Sequence, residues 1–226
     1  MSYKYNKAVA CEPTKQASRK KIADSIKKTL NEENSVIHYL GGRDRETPFE
    51  DEFKNNPVKF VRYEKLACNV PKNYQLSFFT EEGKFFSVEK KNSIGFFQRG
   101  DFFNSYFDYA EMFKGTKQNI WLDFCGMPTP DLLEVLYYAF FHDEVSKDID
   151  QIYFTFYINH RGNDKVKKIL GNGKTLIDKA TTLCNHIKSE YSTEKLGLDC
   201  EVFDTYMNLV SPMAVIKISK KRKEVE

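Results

Sequence analysis

No run of about 18 apolar residues occurs in this chain, which argues against a transmembrane helix and against a membrane partner. The start, Met1-Ser2-Tyr3-Lys4-Tyr5, lacks the apolar core of a secretory leader. The five cysteines (Cys11, Cys68, Cys125, Cys184 and Cys200) are odd in number and widely spaced, and no Cys-x-x-Cys pair is present. Neither a zinc site nor a disulfide framework is signalled. Reduced thiols in a cytoplasmic protein are the expectation. His142, His160 and His186 share no metal-ligand spacing, so no metal is expected. Net charge is small, +3 from 35 basic and 32 acidic residues, and does not by itself mark a nucleic-acid binder. No internal repeat and no low-complexity linker interrupts the 226 residues, which fits one domain.

Aromatic residues, by contrast, are plentiful. The chain has 19 Phe and 13 Tyr, far from the composition of a disordered polymer. Most of these rings should be core, because one buried ring covers much area. Basic residues gather near both ends: Lys15, Arg19, Lys20, Lys21, Lys27 and Lys28 at the start, Lys217, Lys220, Lys221, Arg222 and Lys223 at the close. Two readings stand for them, solvated helix faces and a frayed tail, or patches that attract phosphate backbones.

Four short apolar runs end abruptly in glycine or an acid. They are Val36–Leu40 before Gly41-Gly42, Val58–Tyr63 before Glu64, Ile94–Gln98 before Gly100-Asp101, and Ile120–Leu122 before Asp123. Such runs suit strands buried on both faces. In an open α/β sheet the ligand crevice lies just outside the carboxyl ends of the strands.

The rest of the chain alternates with them. Residues 1–13 read as a flexible arm. Thr14 to about Asn31 predicts a helix, with Ile22, Ile26 and Leu30 on one face. Pro48 opens a short helix. Tyr74–Thr80 and Lys84–Glu89 flank Glu81-Glu82-Gly83 as a hairpin would, a helix in place of one arm being the alternative. Phe102–Phe113 predicts an aromatic-rich helix. Pro130 to about His142 predicts another, with Thr129 as N-cap. Ile152–Ile158 predicts a fifth core strand. Helices follow at Asp164–Leu170 and Thr175–Glu190. Two last strands, Asp199–Met207 and Met213–Ser219, are joined by a tight link at Ser211-Pro212. The expected fold class is α/β: a mostly parallel, twisted sheet of about seven strands, with helices on both faces and a C-terminal antiparallel hairpin, in one domain over residues 14–226.

This order of motifs resembles the class I, Rossmann-like S-adenosylmethionine-dependent methyltransferases over roughly residues 30–220. The resemblance implies S-adenosylmethionine as cofactor. It implies that Gly41 and Gly42 let the main chain lie against the methionine part, that Glu64 accepts both ribose hydroxyls, that Asp101, beside Phe102, accepts from the adenine amino group, and that Asp123 lies near the methyl group. Asp123 would be the catalytic residue, taking a proton from the acceptor or orienting it. Cys125 in the same loop and Arg161 after the fifth strand would meet the substrate, Arg161 by holding an anionic group. Plainer readings stay open: a turn for Gly41-Gly42, a solvated acid for Glu64, an N-cap for Asp101, a packed thiol for Cys125. The pair Gly41-Gly42 is followed directly by Arg43-Asp44 and not by a second spaced glycine. No Asp/Asn-Pro-Pro-aromatic motif follows the fourth strand, so base-amine methylation of that type is not supported.

Two activities compete: a methyltransferase whose acceptor is nucleic acid, DNA or RNA, met through the basic termini, and a catalytically inactive methyltransferase-like binding protein. A nicotinamide or nucleotide enzyme is disfavoured, since neither Gly-x-Gly-x-x-Gly nor a phosphate loop is present. The abundance of Lys, Asn, Phe and Tyr suggests an A·T-rich genome, a virus among the candidates.

Overall fold

A computed structural model of the chain describes residues 13–30, 35–40, 48–53, 55–56, 58–64, 76–79, 85–87, 95–99, 113–123, 126–141, 147–191, 193 and 195–221. The chain divides into two compact units, Met1–Trp121 and Leu122–Glu226.

The first unit opens with α1 (Pro13–Lys27). The spacing of Ile22, Ala23 and Ile26 gives it one buried face, which also carries Lys15 and Ser18. Its last turn is closed by Lys117 Nζ, which donates to the Thr29 carbonyl at 2.5 Å. Then come β1 (Ser35–Leu40), the one-turn α2 (Pro48–Asp51), β2 (Lys59–Glu64), β3 (Leu76–Phe79), β4 (Phe85–Ser87), β5 (Gly95–Arg99) and β6 (Lys117–Asp123), the last running on into the second unit. Their order in the sheet is β3-β4-β5-β2-β1-β6. The ladders β5-β2, β2-β1 and β1-β6 are parallel, and β3-β4 and β4-β5 are antiparallel. β1 is buried along almost its whole length, as expected of a strand covered on both faces. Rings fill the space beside it. Phe49 lies 4.4 Å from Trp121, 5.4 Å from Phe53 and 5.8 Å from Tyr39 between centroids. Each such pair adds about 0.5–1.5 kcal/mol beyond its area burial.

The second unit holds α3 (Pro130–Phe141), β7 (Ile149–Tyr157), α4 (Asp164–Leu170), α5 (Leu176–Glu190), β8 (Leu198–Asn208) and β9 (Ser211–Lys220). β9 pairs antiparallel with both β7 and β8. Thr129 caps α3, its Oγ1 accepting from Leu132 N at 3.3 Å. Thr175 and Asp178 form a reciprocal capping box at the start of α5. That helix turns Ala180, Leu183, Cys184 and Ile187 inward. Cys184 and Cys200, both buried and unbridged, meet at Sγ–Sγ 3.4 Å, which seats α5 on β8. No described helix is long and apolar enough to cross a membrane.

Three expectations are corrected. Nine strands are described where about seven were expected. The sheet of the first unit is mixed rather than mostly parallel, because the β3-β4 hairpin adds to β5 in the antiparallel sense. The link between the last strands is Leu209-Val210, whereas Ser211 and Pro212 already belong to β9, opposite Asn208 and Met207. Proline is tolerated at a strand start because it loses only the donor, and its carbonyl here accepts from Ile158 N at 2.9 Å. Residues 102–112 of the helix predicted at Phe102–Phe113 lie outside the described residues, and Phe113 opens a turn.

That two-residue turn holds Leu209 at φ 55°, a left-handed conformation that costs a bulky residue about 1–2 kcal/mol. Leu209→Gly should therefore stabilise the protein. The relief exceeds the extra freedom of glycine in the unfolded chain, leaving a net gain of about 0.5–1 kcal/mol. Thermal unfolding followed by circular dichroism should show a rise of a few degrees; a fall would mean that the leucine side chain contributes packing larger than its backbone strain.

Candidate functional site

In the first unit the parallel register aligns strand ends. Leu40 pairs with Tyr63, Glu64 with Arg99, and Tyr39 with Trp121. The carboxyl ends of β1, β2 and β5 therefore reach one edge of the sheet. Glu64 is the last residue of β2, at the edge where an open α/β sheet offers its crevice. Gly41 and Gly42 follow the end of β1 in the chain, and Asp101 and Phe102 follow β5 by two and three residues. Those four lie outside the described residues.

Beside the same edge, α1 brings two basic residues that the sequence assigns to a solvent-facing patch. Lys15 is buried, and the Arg19 guanidinium lies 5.7 Å from the centre of the Trp121 ring. Further along β1, His38 is fully buried, faces Phe113 edge-on and hydrogen-bonds to Gln118. Burial holds its imidazole neutral and pushes its pKa from 6.5 down to about 3, the Gln118 hydrogen bond opposing this only in part. A histidine so placed is a core residue.

The second unit brings together the other part of the reading. Asp123 ends β6 and is half-buried. Three residues on, the Gly126 carbonyl accepts from Tyr157 N at 2.9 Å. This ties the segment after β6 to the carboxyl end of β7. Tyr157 is nearly buried, and its hydroxyl accepts from Arg161 Nε at 2.8 Å. The guanidinium carbon lies 4.6 Å from the Tyr157 ring centre. Arg161 itself is exposed. Its backbone is held at φ 42° by a tight turn. Asn159 Oδ1 accepts from Arg161 N at 3.3 Å, His160 Nδ1 from Gly162 N at 3.2 Å, and the His160 carbonyl from Asn163 N at 2.7 Å. Gly162, at φ 81°, supplies the residue that a turn of this shape requires. Asn163 then caps α4, its Oδ1 accepting from Lys165 N and Val166 N.

Asp123 and Arg161 thus belong to neighbouring segments joined through Gly126 and Tyr157. Cys125 lies outside the described residues. The sequence reading missed Tyr157. Its signal is an aromatic hydroxyl on the last residue of a core strand, four positions before an arginine in a turn. Among the described residues no three His, Cys, Asp or Glu side chains gather as a metal site would.

No protein-family model matches the chain, and no curated protein matches it. Solved structures do. The plantazolicin methyltransferase BpumL, in complex with a triazolic desmethylPZN analogue and SAH, is 10% identical with a TM-score of 0.51, over 94% of this chain and 87% of that one. Mtq2 of the E. cuniculi Mtq2–Trm112 complex, which methylates the eRF1 termination factor, is 12% identical with a TM-score of 0.42, over 88% and 93%. The 16S rRNA methylase ArmA is 11% identical with a TM-score of 0.40, over 94% and 88%. At 10% identity the likeness to BpumL concerns the fold alone.

Proposed function

We propose that this chain is an S-adenosylmethionine-dependent methyltransferase acting in the cytoplasm, with residues 14–226 forming one Rossmann-like domain after an N-terminal arm. The observation that carries the reading is the register that brings the ends of β1, β2 and β5 to one edge with Glu64 as the last residue of β2, in a fold shared with a methyltransferase that holds SAH. The residue types at this edge suit the cofactor. A carboxylate at Glu64 suits a vicinal diol, since two oxygens meet two donors. Gly41 and Gly42 permit close backbone approach, and Asp101, with Phe102 beside it, supplies an acceptor for an exocyclic amine.

When bound, the cofactor supplies an activated methyl group, so the protein's work is alignment more than acid–base chemistry. Asp123, at the end of β6, takes the acceptor's proton or fixes its orientation. Arg161, held by the Tyr157 hydroxyl, grips an anionic group of the acceptor, and Cys125, two residues after Asp123 in the sequence, meets the substrate. A second reading, a methyltransferase-like binding protein without catalysis, is favoured by one observation: Arg43-Asp44 follows Gly41-Gly42 where a further spaced glycine is usual.

Glu64→Ala should weaken S-adenosylhomocysteine binding by about 1–3 kcal/mol, the range for removing an acceptor that pairs with buried donors. Asp123→Asn should leave that affinity within a few-fold while abolishing label transfer from radiolabelled S-adenosylmethionine to nucleic acid. Unchanged binding in Glu64→Ala removes the ribose assignment. Unchanged binding of the wild type together with no transfer to DNA, RNA or protein favours the non-catalytic reading.

A further inference from the structure

We propose that the exposed basic segment running from Arg161 along α4 to Lys174 is a docking surface for the phosphodiester backbone of a nucleic-acid strand. The proposal deepens the methyltransferase reading by naming its substrate class, and it rests on that reading only for what the bound strand is used for.

Charge is the first argument. Residues 159–179 contain Arg161, Lys165, Lys167, Lys168, Lys174 and Lys179 against Asp164 and Asp178. This stretch carries +4, so the remainder of a chain whose total is +3 carries −1. Residues 14–28 are also strongly basic, with Lys15, Arg19, Lys20, Lys21, Lys27 and Lys28 against Asp24, so exposure and freedom from ion pairs among the described residues, more than charge alone, set the α4 segment apart. Its two acids are placed for helix starts: Asp164 sits in the first turn of α4, and Asp178 accepts from Thr175 N in the capping box.

Geometry is the second. α4 buries Val166, Ile169 and Leu170, which leaves Lys165, Lys167 and Lys168 exposed on the other side. None of these lysines is in an ion pair among the described residues. The segment is built firmly at both ends. At one end Arg161 is fixed by the Tyr157 hydroxyl and by its turn. At the other, a Cβ on Gly173 would come within 2.6 Å of Asp178 Cβ, so the link to α5 is closely packed. A pre-set guanidinium suits phosphate oxygens, and flanking lysines add counterion release along a strand. The Gly126–Tyr157 hydrogen bond places the Arg161 end beside the segment that follows Asp123.

The termini fit this role less well. Lys15 is buried, and Arg19 lies over Trp121. Lys27 pairs with Asp24 and Glu52, and Lys217 with Glu201. Lys220 donates to the Lys147 carbonyl. Several of the basic residues that sequence grouping offers are thus already engaged within the fold.

The test is fluorescence anisotropy of the full chain, without cofactor, on a short labelled single-stranded RNA and on a short DNA duplex across a salt series. Lys165→Glu/Lys168→Glu is compared with Lys20→Glu/Lys21→Glu, two exposed residues on α1. The α4 pair should lower affinity by about tenfold or more near 50 mM salt and reduce the slope of log K against log salt by at least about 1.4, the value for two phosphate contacts on a single strand. The α1 pair should change affinity by no more than about twofold. The proposal is overturned if the α4 pair binds like the wild type, if the α1 pair loses as much, or if binding is indifferent to salt. Wild-type binding to neither probe overturns it too, as does equal affinity for polyglutamate, which would make the surface one for acidic polypeptide. Loss of strand binding leaves the cofactor site untouched, and absence of cofactor binding leaves this surface standing, so the two readings fail separately.

Discussion

Phe156→Ala should lower the free energy of unfolding by about 3–5 kcal/mol, the range for truncating a buried aromatic ring. Phe156 is completely buried in β7, opposite Ala214 of β9, with its ring 5.9 Å from that of Phe154. An alanine there has only another small residue across the ladder, so the space cannot be refilled from β9. A loss of this size is a large share of a typical total stability of about 5–15 kcal/mol. β7 also carries Tyr157 at its end and through it positions Arg161, so the variant should weaken strand binding at temperatures where the second unit loosens. Urea unfolding followed by far-ultraviolet circular dichroism measures the effect. A loss below about 1 kcal/mol would mean that Phe156 is not packed as described.

The second large effect is a pH dependence from His38. In the unfolded chain this imidazole titrates near 6.5, whereas in the fold burial holds it down to about 3. Between those values the unfolded chain binds a proton that the native one does not, so stability rises with pH across the window. The contribution is complete above about pH 6.5 and lost progressively as pH falls toward 3. By about pH 5 the loss should be about 2 kcal/mol, each unit of pH being worth about 1.4 kcal/mol for one such group. Trp121 is the single tryptophan and lies in the first unit with His38, so its fluorescence reports the relevant transition. His38→Gln keeps a polar partner for Gln118 and removes the titration. Its unfolding free energy should change less than that of the wild type between about pH 7.5 and 5, by about 2 kcal/mol. Parallel pH profiles for the two proteins would contradict the assignment.

Much of the architecture was legible because the relevant signals are local. Val36–Leu40 and Ile120–Leu122 are apolar runs that suit a strand covered on both faces, and both lie within observed strands. The helices expected at Asp164–Leu170 and Thr175–Glu190 are observed as α4 and α5, with Asn163 and Thr175 as their caps. Leu76–Phe79 and Phe85–Ser87 pair antiparallel, as the hairpin reading of this stretch expects. What was not legible depended on pairings that exist only in the folded chain. Leu209-Val210 carries no turn signature, and Ser211-Pro212 does, but the register with Asn208 and Met207 decides the turn and places the proline inside β9. Lys15 and Arg19 read as surface charge because their neighbours in sequence are charged, whereas the buried face of α1 and the ring of Trp121 set their surroundings. Glu64 and Asp123 end β2 and β6, as their positions after apolar runs predict. Tyr157 was hidden because its role arises only when the turn folds Arg161 back upon it.

The central claim is that the edge marked by Glu64 receives an adenosyl cofactor. Isothermal titration of the wild-type chain with S-adenosylhomocysteine tests it most directly. The account predicts saturable binding at one site, with a dissociation constant on the order of 10 μM, about −7 kcal/mol. No heat of binding with ligand at about millimolar concentration would contradict it and leave a methyltransferase-like fold serving another purpose.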